Sequence, residues 1–217
     1  MYTATMPIED FWGYFRARDQ SIYEVFACGA DAPSEADVAA FESEIGFRLE
    51  TEFRAFMMSA IGGMCYVVNE EHWPRPKPYD VAPFWTFCYG VIVPGISKDI
   101  PGQLSVRELH KTLVAAGTTD LVPCLKVVGD PSMYCMDRSG KIVFWHHDDL
   151  EHRDAVDLTF SELLMQEVNE LEERRRKLQT LGKARPGNAA PESHPTSGAA
   201  ASNASSSFWQ RLWRRTT

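Results

Sequence analysis

From Gly182 to Ser207 the chain contains no Ile, Leu, Val, Met, Phe, Tyr or Trp. Such a stretch cannot bury enough apolar surface to offset the entropy of ordering, so it reads as a disordered linker. Whatever folds must fold upstream, and residues 1–181 read as a single domain. Residues 208–217 are a short basic-aromatic segment beyond the linker. Phe208, Trp209, Leu212 and Trp213 share one helical face there, accompanied by Arg211, Arg214 and Arg215. That pattern fits a tethered docking peptide, a weak membrane-surface anchor or a segment folded back on the body.

Within residues 1–181 the hydrophobic spacing alternates between two periods. Ile8, Phe11, Trp12 and Phe15 fall at i, i+3, i+4 and i+7, one face of a helix. Ser34, with Asp37 three residues on, caps a second helix that buries Val38, Phe41 and Ile45 and stops at Gly46. A third carries Leu49, Phe53, Phe56, Met57 and Ala60 and ends at Gly62-Gly63. Ser105 to Glu108 and Thr159 to Glu162 each spell a capping box, with Leu104/Leu109 and Leu158/Leu163 as staple pairs. The last helix runs through Leu164, Val168, Leu171 and Leu178.

Strands are predicted between these helices. Met64–Val68 is apolar, and Trp85–Tyr89 alternates aromatics with smaller residues before Gly90. Leu121–Val128 reads as a strand in which Pro123 marks an edge or a start. Ser132–Asp137 and Lys141–Trp145 flank a hairpin turn at Arg138-Ser139-Gly140. This order predicts an α+β fold with a mostly antiparallel sheet flanked by helices.

Charge separates the body from the tail. Residues 182–217 hold five basic residues and one acidic residue, a net of +4. Removing these from the chain's 22 basic and 30 acidic residues leaves 17 and 29, so the body carries −12. Phosphates are repelled by such a body, which argues against nucleic acid as a ligand and allows a basic partner. No apolar run approaches the roughly 18 residues of a membrane span, and Met1–Asp10 shows no secretory signal. The five cysteines are scattered without a C-x-x-C pair, so a reducing cytoplasm is the expected compartment.

The ordered motifs resemble the SUKH superfamily, bacterial toxin-immunity proteins related to a fungal regulator of cell-wall synthesis. They are Pro33-Ser34-Glu35, Ile45-Gly46, Phe47–Leu49, Phe53/Phe56/Met57, Ile61-Gly62-Gly63, Trp85/Phe87/Tyr89-Gly90 and Val122-Pro123. Tyr134–Asp137, Ile142–Trp145 with His146-His147-Asp148, and Phe160–Leu164 complete the set. Glu50 stands where the family pattern usually has Pro, and Ile61 where it often has Asn. The resemblance spans roughly residues 30–175. It implies a single domain that binds and neutralises a toxin stoichiometrically, without an active site. A regulatory scaffold of the same fold that binds a cellular partner is the alternative.

Three sets of side chains carry groups capable of chemistry. His146, His147, Asp148, Asp149 and His152 could hold a divalent metal and serve a metal-dependent enzyme. They also follow a hairpin strand, where polar loop residues are ordinary, so no metal or cofactor is expected. Cys65 or Cys88 with His72 or His110 could form a nucleophilic pair, but each thiol lies in an apolar run and reads as buried and inert. Arg174–Lys177 follow Glu170, Glu172 and Glu173 at i−4, a self-paired helix end rather than a nucleic-acid patch. The expected partner-binding residues are Asp130, Asp148 and Asp149, with Trp73 as an aromatic anchor and Tyr79 in a proline-rich loop beside it. Against this, Trp73 could instead pack on its own sheet. The expected partner is a basic toxin domain, such as a nuclease.

Overall fold

The computed structural model describes residues 7–27, 31–75, 82–97 and 100–183. Five helices and seven strands alternate within them: α1 (Ile8–Arg16), β1 (Tyr23–Phe26), α2 (Glu35–Ile45), α3 (Thr51–Met57), β2 (Cys65–Val68) and β3 (Gly90–Ile92). Then come α4 (Val106–Ala115), β4 (Leu121–Val127), β5 (Met133–Asp137), β6 (Ile142–Trp145), β7 (Arg153–Val156) and α5 (Phe160–Lys183). The strands form one antiparallel sheet in sequence order, β1 to β7, so the fold is α+β as the sequence predicts. Gly182 and Lys183, read as the start of the linker, instead close α5, while the rest of the linker and the terminal segment with Phe208, Trp209, Leu212 and Trp213 lie outside the described residues.

Side chains alternate across a strand, and that alternation sorts the core into two layers. Tyr66 and Val68 of β2 face a cluster with Phe11, Phe41, Phe53, Phe56 and Phe160, supplied by α1, α2, α3 and α5. Cys65 and Val67 face the other way, toward Ile92, Ile100 and Leu104. On that second face Leu113 of α4 packs with Leu121, Met133, Cys135 and Trp145. The sheet is thus sandwiched between helices.

Local signals account for most boundaries. Ser34 accepts from Asp37 N, and Asp37 accepts from Ser34 N at 2.9 Å, a closed capping box. Thr159 and Glu162 exchange the same pair of bonds at the start of α5. Glu50 replaces the family's Pro without strain: its φ of −61° is the proline value, and its carboxylate caps α3 by accepting from Phe53 N.

Four further readings change. Ser105 makes no side-chain cap, and the Glu108 side chain pairs with Lys111 rather than with Ser105 N. Val106 N is satisfied by Gly95 O at 2.9 Å. Helix α3 stops at Met57, before Gly62, where Ser59 Oγ donates to Phe56 O at 2.6 Å and competes for a helical carbonyl. Phe84–Phe87 is a turn of 3-10 helix after Pro83, and the strand starts at Gly90. A Cβ at Gly90 would lie 2.8 Å from Tyr66 O, so only glycine lets β3 approach β2 this closely. Pro123 lies within a central strand. A register shift between Pro123 and Leu125 accommodates it, and β3 pairs only with Lys126 and Val127, beyond it.

Candidate functional site

An antiparallel sheet whose strands pair in sequence order sends successive connections to alternate ends. The described parts of the β2–β3 connection (69–75 and 82–89) therefore share one end with 128–132 (β4–β5) and 146–152 (β6–β7). The α2–α3 segment, α4 and the 138–141 turn belong to the other. This topology brings Asp130 to the same end of the sheet as the adjacent Asp148 and Asp149.

Hydrogen bonds join the two acidic segments. His147 N donates to Ser132 Oγ at 3.1 Å, and Ser132 N donates to Asp130 Oδ1 at 2.8 Å. The Asp148 side chain is 95% exposed, Asp149 and Glu151 are exposed, and Leu150 presents an apolar surface between them. Phe84 is 57% exposed on the neighbouring β2–β3 segment. Gly129 lets the β4–β5 turn close on that segment, for a Cβ there would meet Phe87 O at 2.3 Å.

Trp73 is not a surface anchor. It is fully buried, its Nε1 donates to Thr86 O at 2.8 Å, and its ring meets Trp85 edge-on. An indole with an internal acceptor has both its apolar body and its polar tip satisfied inside the fold. Tyr79 lies outside the described residues.

Helix α5 anchors this end from beneath. Glu167 is 3% exposed and accepts from Tyr134 Oη at 2.6 Å, with Arg174 Nη2 at 3.5 Å. Lys177 sits over the Trp85 ring at 4.8 Å and Arg175 donates to Tyr23 Oη at 3.0 Å. Of the expected i−4 carboxylate pairs, Arg176–Glu172 forms, whereas Arg174 donates to the Glu170 carbonyl instead. Burial pushes the Glu167 carboxyl above the usual carboxylate range, reinforced by Glu170 and Asp130 and opposed by Tyr134 and Arg174. A raised native pKa means the folded chain holds this proton more tightly than the unfolded chain. The stability it supplies is fully present below the unfolded value of about 4.3 and is lost as pH rises through the folded value. The Glu167→Gln chain should gain stability relative to wild type as pH rises through that window, measured by urea unfolding at several pH values. A pH-independent difference would contradict the raised pKa.

Beside the acidic loop, Asp154 accepts from or pairs with both His146 Nε2 at 2.7 Å and His152 Nε2 at 3.1 Å. Sequence reasoning missed Asp154, because exposed β7 lacks an apolar alternation and was not read as a strand. The described thiols, Cys65, Cys88, Cys124 and Cys135, are buried, and burial pushes each upward, Cys65 to about 12. Such thiols are not poised as nucleophiles. A cavity of about 440 Å³ between α2 and α3 opens at the opposite end, but its Arg54 is already paired with Glu35 and Glu42.

The sequence model of the SMI1 / KNR4 family (SUKH-1) matches residues 32–166. The chain belongs to this family. The match covers α2 to the start of α5, and thus the SUKH-1 region includes every strand but β1 and both acidic segments. No curated protein matches the chain. Among the described residues, no helix is long and apolar enough to cross a membrane.

Proposed function

We propose that this SUKH-1 protein is a cytoplasmic immunity protein that neutralises a cognate toxin domain by stoichiometric binding, not by catalysis. The supporting observation is the convergence of Asp130, Asp148, Asp149 and Glu151 with exposed Leu150 and Phe84 at one end of the sheet. Acidic and exposed apolar side chains at one end of a body of net charge −12 suit a basic toxin surface. Glu151, Leu150 and Phe84 take the place that sequence reading gave to Trp73.

The test is co-expression with the toxin encoded beside it. Survival that depends on a stable one-to-one complex, with the toxin chemically unchanged, is expected. Survival without association, or with a modified toxin, would point to an enzyme. A complex with a cellular protein and no protection would favour the regulatory scaffold. Within the complex, an Asp148→Lys/Asp149→Lys chain should associate about 10-fold more slowly at low salt, with a smaller change in dissociation. Added salt should narrow that gap as screening removes the steering. Equal association rates would exclude this loop from the interface.

A further inference from the structure

The β6–β7 register sets Phe144 opposite Asp154 and Trp145 opposite Arg153. One step onward it sets His146 opposite His152 at the mouth of the loop. Alternation then places both histidines on the face that carries Phe144 and Asp154. The contacts agree: His146 meets the Phe144 ring edge-on, whereas His147 meets Trp145 of the opposite face. His146 and His152 rings lie 4.7 Å apart, and both reach the same carboxylate. One donor atom from each of His146, His152 and Asp154 lies within 4.8 Å of the others. Among the described residues, this is the one such group of three or more metal-capable side chains.

A tetrahedral Zn2+ with bonds of about 2.0–2.1 Å holds its ligand atoms about 3.3–3.4 Å apart. The two histidine–carboxylate separations, 2.7 Å to Asp154 Oδ2 and 3.1 Å to Asp154 Oδ1, both fall a little short of that spacing, so the side chains must open slightly to admit an ion. Asp154 is held in the β6–β7 ladder, and the two histidines directly flank its last pair, Trp145 and Arg153. Two imidazoles with one carboxylate suit Zn2+, Ni2+ or Cu2+, whereas Ca2+ and Mg2+ require more oxygen donors.

We propose that His146, His152 and Asp154 form a binding site for a divalent transition-metal ion of the Zn2+ class, bracing edge strand β7 to β6. Three protein ligands leave at least one coordination position to water. The loop's sequence alone reads as polar solvation. The strand register adds Asp154 and turns His147 to the opposite face, and the donor-atom distances leave Asp148 and Asp149 outside the group. The site rests on the hairpin's geometry and is independent of toxin binding.

The test titrates metal-free, tag-free full-length chain with Zn2+ against a chromophoric chelator. Saturation at one ion per chain is expected, unaffected by Mg2+ or Ca2+. Loss of an outer partner of a metal ligand already lowers affinity roughly 10–100-fold. His152→Ala and the near-isosteric Asp154→Asn should therefore each weaken binding by at least that much, while His147→Ala should bind as wild type. Far-UV circular dichroism checks each fold, and Asp154→Asn carries the test if His152→Ala does not fold. Zn2+ should also raise the melting temperature of wild type but not of Asp154→Asn. No saturable Zn2+ binding, or wild-type affinity in folded Asp154→Asn, would overturn the site.

Discussion

Replacing Phe160 with alanine should remove about 3–5 kcal/mol of stability, the usual cost of a large cavity left by a buried aromatic. Phe160 is 1% exposed and its ring lies 5.1 Å from both Phe53 and Phe56, with Phe11 beyond Phe56 at 6.1 Å. This aromatic stack is where the first turn of α5 locks onto α3. A domain of this size has only about 5–15 kcal/mol to lose, so the variant should unfold at far lower urea. Phe84→Ala is the matched control. Its ring is 57% exposed, and truncation should change stability by less than about 0.5 kcal/mol. Comparable losses for the two would mean that α5 is not docked through Phe160.

Gly129→Ala should be nearly as damaging for a different reason. Its φ of +88° is strained for any side chain, and a Cβ would also lie 2.3 Å from the Phe87 carbonyl oxygen. The left-handed conformation costs about 1–2 kcal/mol, and forcing the backbones apart adds about 1–3 kcal/mol. Gly117 separates these contributions. Its φ is +85°, but a Cβ there would meet nothing within 4 Å, so Gly117→Ala should pay only the conformational part. Urea unfolding of both variants measures the difference. Equal losses would show that the Phe87 contact is not tight. If the gap is real, Gly129→Ala should also displace Phe84 relative to Asp130 and slow partner association beyond what lost stability explains.

Helices were more legible than strands. Ser34, Thr159 and the apolar faces of α1, α2 and α5 carry their own start and burial signals, and their main features are found in the structure. Such signals are local and need no partner. The segments misread or left unassigned are those where tertiary context decides. Trp85–Tyr89 alternates like a strand but follows Pro83 and packs as a turn against α5. Tyr23–Phe26 is short, and Arg153–Val156 is polar because an edge strand borrows its order from one neighbour. For the candidate site, composition found Asp130, Asp148 and Asp149, while their convergence needed the sheet topology. Trp73 could not be assigned from sequence, since exposed and buried tryptophans look alike until Thr86 O supplies the acceptor.

The unbroken sequence order of the seven strands also bears on how the chain reaches this structure. From β4 to β7, each strand meets its partner across a connection of only four to seven residues: 128–132, 138–141 and 146–152. Loop-closure entropy grows with the length to be closed, so these ladders can zip from one hairpin to the next at small entropic cost. Leu121, Met133, Cys135 and Trp145 give that half a hydrophobic seed of its own, joined by Leu113. The long-range step is the return of α5 to α3, which brings Phe160 to Phe53 across more than a hundred residues. Assembly of β4 to β7 is thereby local in contact order, and docking of the last helix closes one of the chain's longest loops.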